Sequence, residues 1–137
     1  MVFLRIFGLL MMFTWFLLVI LTPLKTGSSP FIIGGLLYVL GLIGFVVALI
    51  NFRDTPLDRP ITHGLYSFSR NPQQVSIFVS FLGISLAIGS WLATLLISIA
   101  IVLGHARVLA EERACLEQYG EPYKNYLNQV PRYFVFF

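Results

Sequence analysis

The polar side chains of this chain gather in two stretches, 54–74 and 105–132, and long apolar runs fill most of what lies outside them. Only 11% of the 137 residues are charged and 58% are hydrophobic, with a mean hydropathy of +0.86. Soluble domains carry about 25% charged residues, so the composition predicts one small integral membrane domain. Two hydrophilic stretches retained in such a chain predict a site at the membrane surface.

The first apolar run, 2–21, is broken only by Arg5 and has the ~20 residues that a bilayer core requires. A signal peptide is the competing reading; the length of the run and the lack of an A-x-A site after it argue against that. Residues 22–30 read as a loop, with Pro23, Gly27 and Pro30 as breakers. The second run, 31–50, carries Gly34, Gly35, Gly41 and Gly44. Gly34 and Gly41 predict either a face for close helix packing or simple tolerance of glycine in lipid.

Residues 51–69 read as a polar loop. Asn71-Pro72 predicts a helix start, because Asn caps free amides and Pro suits the first turn. A short third helix over 74–88 follows, then Gly89-Ser90 and a fourth helix from Trp91, in the membrane over 91–109 and continuing to about Tyr119, where Gly120 ends it. Helices three and four are expected to form a hairpin, and 122–127 a short surface helix. The predicted fold is all-α, with about four transmembrane helices and a cytosolic C-terminal helical segment.

Four spans put both termini and the 51–69 loop on one side. Arg5, Arg53, Arg59, Arg70, Arg107, Arg113, Lys124 and Arg132 then share that side, and only Lys25 faces the other. Basic residues accumulate on the cytoplasmic side, which predicts an inner-membrane protein with both termini in the cytosol. The scatter of the basic residues gives no nucleic-acid signal. One cysteine, Cys115, and two histidines, His63 and His105, leave no expected metal site.

Three elements carry candidate chemistry. Arg107 and Glu111 share a helix face near the bilayer boundary; they are either functional groups or an exposed pair with Arg107 snorkelling to the interface. The stretch His63-Gly64-Leu65-Tyr66-Ser67-Phe68-Ser69-Arg70-Asn71-Pro72 joins a permissive glycine, stacking aromatics and a helix N-terminus suited to an anion. It is otherwise a capped loop at the interface, with Arg70 holding an anion or only lipid headgroups. Tyr119-Gly120-Glu121-Pro122-Tyr123-Lys124-Asn125-Tyr126, followed by Val130-Pro131-Arg132-Tyr133, reads as an interfacial aromatic anchor, as does the terminal run 134–137. No Walker-type phosphate loop and no H-E-x-x-H occurs.

In this order and spacing, Gly64-Leu65-Tyr66 leading to Arg70-Asn71-Pro72, then Glu111-Glu112, Tyr119 to Tyr126 and Val130-Pro131-Arg132 resemble the isoprenylcysteine carboxyl methyltransferase and phospholipid N-methyltransferase group of membrane enzymes, over about 51–133. The resemblance implies a compact helical membrane methyltransferase that uses S-adenosylmethionine. By position, Tyr66, Asn71, Pro72, Gln73, Gln74 and Glu111 would bind the cofactor, and Arg59, Pro60, Ile61 and Thr62 would close over its nucleoside. Arg107 would hold the methyl acceptor, and Arg107 and Glu112 are the expected catalytic residues, with Glu112 or His105 assisting an amine acceptor. Asn71 stands where the isoprenylcysteine enzymes usually carry His, Gln74 where an aromatic is common, and Cys115 where leucine is usual. The acceptor stays open among an isoprenylcysteine carboxylate, a phospholipid amine and a small thiol. A non-catalytic membrane scaffold and a lipid-binding or transport module are the alternatives, and a homo-oligomer is compatible with the glycine faces.

Overall fold

The computed structural model describes residues 2–56 and 58–134, with side chains from residue 6 onward. The Arg5 side chain and residues 135–137 of the expected terminal anchor lie outside the described part. The elements are α1 (Val2–Leu21), α2 (Ser29–Arg53), a 3-10 turn (Gly64–Ser67), α3 (Pro72–Ala87), α4 (Trp91–Tyr119) and α5 (Glu121–Gln129). No strand occurs among the described residues.

Local chemistry sets the helix boundaries. The Ser28 hydroxyl accepts the Phe31 amide at 3.4 Å, so α2 starts two residues earlier than its apolar run. The Ser90 hydroxyl accepts the Ala93 amide at 3.2 Å and opens α4. Pro72 is the first residue of α3, where its missing N–H costs nothing. The predicted loop over 51–69 holds the last turn of α2 and the 3-10 turn, and α5 extends beyond 122–127 at both ends. Gly120 leaves α4 with φ 62°, a conformation that glycine adopts without a Cβ clash.

Two helices, α2 and α4, are long and apolar enough to cross a bilayer. The other two apolar helices are shorter over their described extent, Ile6–Leu21 and Pro72–Ala87. A 16-residue helix such as α3 rises only about 24 Å, less than the ~30 Å hydrocarbon core. Of the four expected spans, those at α2 and α4 correspond to helices long and apolar enough to cross. Leu9, Leu10, Phe13 and Ile20 on α1, and Leu36 and Leu40 on α2, are exposed. Apolar surface on this scale is suited to lipid, not water.

The chain folds as two compact units. One comprises the residues up to Leu40 together with Phe78–Gly104; the other comprises Gly41–Ile77 with the residues from His105 onward. In the first, Trp15, Ile88 and Ala93 form the buried centre, with Leu18, Phe81 and Ile84 packed on it. The Trp15 indole N–H donates to the Ser85 hydroxyl at 2.8 Å, and that hydroxyl donates to the Phe81 carbonyl at 2.9 Å. Phe81 meets the Trp15 ring edge-on with centroids 4.9 Å apart. Gly34 of α2 and Gly83 of α3 bring two backbones together: a Cβ on Gly34 would strike the Ala87 nitrogen and the Gly83 carbonyl oxygen, and one on Gly83 would strike the Tyr38 nitrogen. Of the two readings of the glycines, close packing therefore holds for Gly34. Gly35 has open space around its Cβ position.

Candidate functional site

The second unit gathers the polar sequence around one cavity of about 230 Å³. Its walls come from five places. Phe52 comes from the last turn of α2, and Pro60 and Ile61 come from the loop. Tyr66, Arg70, Asn71, Gln73 and Gln74 span the 3-10 turn and the start of α3. Glu111, Cys115 and Tyr119 come from α4, and Tyr123 and Tyr126 from α5.

The loop reaches this position through a tight approach. Gly64 has φ 61°, and a Cβ there would strike the Asn51 side-chain amide. Both the backbone conformation and the space require glycine. The bend lays Tyr66 in the wall, where it is buried. Tyr126, also buried, donates its hydroxyl to the Tyr66 carbonyl at 2.6 Å. Burial pushes the Tyr66 phenol up to about 12, partly offset by a hydrogen bond with Gln73. Burial raises Tyr123 and Tyr126 as well, and neighbouring acidic groups add to the effect. All three phenols therefore keep their protons at neutral pH.

Behind the wall sits a charged clasp. The Glu112 side chain is only 9% exposed. Arg132 donates from Nε to both Glu112 carboxylate oxygens at 3.1 Å and from Nη2 to Oε2 at 3.0 Å. Arg70 Nη1 lies 3.5 Å from Oε2, and Asn71 Nδ2 donates to Oε1 at 3.3 Å. The tail backbone completes the clasp. The Arg132 carbonyl accepts from Ser69 Oγ and Asn71 Nδ2, and the Pro131 carbonyl accepts the Arg70 amide at 3.0 Å. Nearby, His105 Nδ1 and the Tyr133 hydroxyl are hydrogen-bonded at 2.8 Å.

Arg107 and Glu111 are bonded at 2.9 Å, with side chains 79% and 55% exposed. In this structure they form the exposed pair that spacing alone allowed. Arg107, Glu111, Cys115 and Tyr119 recur every four residues and so share one face of α4. Along it, exposure falls from the open Arg107 to the half-buried Cys115 and Tyr119.

Of the residues expected to bind cofactor, Pro60, Ile61, Tyr66, Asn71, Gln73, Gln74 and Glu111 line the cavity. Arg59 and Thr62 are exposed and lie outside the lining. Pro72 is fully buried and also outside it. Arg107 is on the surface and Glu112 is in the clasp. Phe52, Cys115 and the three tyrosines were not assigned from sequence. In the sequence these tyrosines read either as an interfacial anchor or as part of the Tyr119-to-Tyr126 motif, and the signal is their helical spacing on an otherwise polar segment.

A family model described as phospholipid methyltransferase matches residues 31–122, more than half of the chain. This chain belongs to that family. The matched stretch includes every cavity residue except Tyr123 and Tyr126 of α5. The Schizosaccharomyces pombe protein-S-isoprenylcysteine O-methyltransferase is 31% identical over 72 residues, which cover 52% of this chain and 30% of that protein. The chain therefore spans about a third of the length of the curated relative it matches. No solved structure matches it.

Proposed function

We propose that the protein is an S-adenosylmethionine-dependent methyltransferase acting on a lipophilic acceptor. The observation that carries this reading is the cavity itself. In a member of this family, the loop, the start of α3 and the α4 face build one pocket from aromatic rings, amides, a buried guanidinium and a carboxylate. That donor set suits S-adenosylmethionine. Phe52, Tyr66 and Tyr119 offer faces to a flat purine, Gln73 and Gln74 offer amides, and Glu111 offers an anion to a ribose or an ammonium.

The cavity is below the ~300–1,000 Å³ of common ligand pockets, so its mouth must be part of the binding surface. The cofactor, when bound, supplies an activated methyl group. The chain supplies orientation and exclusion of water; a well-held geometry is worth ~7–11 kcal/mol in favourable cases. Arg107, free of the cavity wall, is placed to meet an anionic acceptor. A carboxylate or thiolate acceptor needs no base. The Tyr66, Tyr123 and Tyr126 phenols stay protonated and take no proton from an amine. Glu112, held by Arg132, Arg70 and Asn71, positions the wall from behind. His105 is the remaining candidate to accept a proton from an amine. The concentration of basic residues in the second unit supports a cytosolic position for it.

Calorimetry of the detergent-purified protein with S-adenosylhomocysteine should give saturable heat. A methyl-labelled cofactor, offered with prenylated cysteine, phosphatidylethanolamine and small thiols, should label one acceptor class. Absence of heat together with absence of label would leave a non-catalytic scaffold or lipid-binding module.

A further inference from the structure

The clasp has an unbalanced charge count. Two guanidiniums, Arg70 and Arg132, face one carboxylate, Glu112. Arg132 takes both carboxylate oxygens with its fork, and Arg70 is left with a single 3.5 Å contact. The Arg70 side chain is 8% exposed, and its buried Nε has no hydrogen-bond acceptor among the described residues. A buried donor without a partner costs about 1–3 kcal/mol, more when charged, so such groups call for an explanation.

Arg70 lines the cavity, as do Asn71, Gln73 and Gln74 around the start of α3. That helix end carries a partial positive charge and free amides. An excess cation and a helix N-terminus therefore meet on one wall, and Glu111 on α4 lies on the same cavity. A cationic wall with a carboxylate on the same pocket suits a zwitterion better than a multiply charged anion.

We propose that Arg70 is the carboxylate-binding residue of the cavity, taking the α-carboxylate of the amino-acid portion of the methyl donor while Glu111 faces its ammonium group. This rests on the donor reading above and adds to it the residue that would select a donor bearing an amino-acid tail.

The test compares S-adenosylhomocysteine with its decarboxylated analogue by calorimetry on the full chain in detergent. The wild-type protein should bind the decarboxylated ligand more weakly, by about tenfold or more, the effect of losing one charge-assisted hydrogen bond. In Arg70→Gln the affinity for S-adenosylhomocysteine should fall to that of the decarboxylated ligand, whose own binding changes little. If Arg70→Gln does not fold, Arg70→Lys keeps the charge and loses the fork, and the gap should narrow. Equal affinities of the two ligands for the wild-type protein, or an unchanged gap in a folded variant, overturn the assignment. An Arg70 effect confined to the KM of a phosphate-bearing acceptor also overturns it, in favour of a headgroup site. Binding of neither ligand to the wild-type protein removes the donor reading itself and this proposal with it.

Discussion

Arg132 grips Glu112 through both carboxylate oxygens, although 20 residues separate them and Gly120 breaks the helix between them. The pair fastens the end of the chain to the back of the cavity wall. It does so through a buried carboxylate that Arg70 and Asn71 also face, so losing Arg132 leaves Glu112 a cationic partner while losing Glu112 strands two guanidiniums.

Arg132→Ala should therefore destabilise the protein by about 1.5–3 kcal/mol, the worth of hydrogen bonds to a charged group, because Arg70 still faces the carboxylate. Glu112→Ala should cost more, about 3–5 kcal/mol, by leaving two guanidiniums uncompensated. Unfolding curves in detergent would measure both, and a double variant less damaging than the sum of the two would show the coupling.

Arg107→Ala should behave in the opposite way. Its pair with Glu111 is exposed, and exposed pairs contribute about 0.5 kcal/mol or less. Stability should hardly move while turnover falls. Glu111→Ala should weaken cofactor binding measured by calorimetry. Loss of turnover in neither variant would remove the α4 face from the proposed site.

Trp15→Phe should lose the hydrogen bond to Ser85 and cost about 0.6–1.7 kcal/mol, the range for such bonds in membrane proteins. Ser85→Ala should cost a similar amount, and the pair together little more than either. Unfolding of the three variants in the same detergent gives the comparison.

Gly34→Leu and Gly83→Leu should each force α2 and α3 apart, since the added atoms meet backbone and not flexible side chain. Both should lower the melting temperature by several degrees. Gly35→Leu, at a position with open space, is the control and should leave it nearly unchanged.

The Tyr66 phenol should ionise near pH 12 in the folded protein, against an ordinary value of 10.0. Between those values the folded state keeps a proton that the unfolded chain has lost. Stability contributed by the buried phenol is thus fully present below pH 10 and falls as pH rises toward 12. Titration of the tyrosinate absorbance, with Tyr66→Phe as reference, would show the displaced midpoint.

Helix positions were legible in the sequence because apolar runs and punctuation agree. Gly89-Ser90, Gly120 and Pro72 each stand at a helix end. Gly34 was legible as a packing residue in one of two readings, but its counterpart Gly83 was not, since a lone glycine on α3 has no partner visible in one dimension. The loop and Glu111 were found through the motif order. Tyr123 and Tyr126 stand in the motif, but their burial was not legible because an interfacial tyrosine and a buried one share the same helical spacing. The clasp was invisible because it depends on Arg132 returning to Glu112 in space. The depth of Arg70 was hidden for the same reason.

The stripe from Arg107 to Tyr119 has a consequence for traffic. Three turns of one rigid rod carry a cation in the open, then a carboxylate, then a thiol, then a ring at depth. If the proposed function holds, such a sequence would give the cavity a doorway with a polarity, with the exposed Arg107 as the rung that an anionic acceptor meets first. On the proposed reading, a carboxylate or thiolate acceptor would meet that rung with the very group that takes the methyl, so its orientation would be selected before it reaches the chamber.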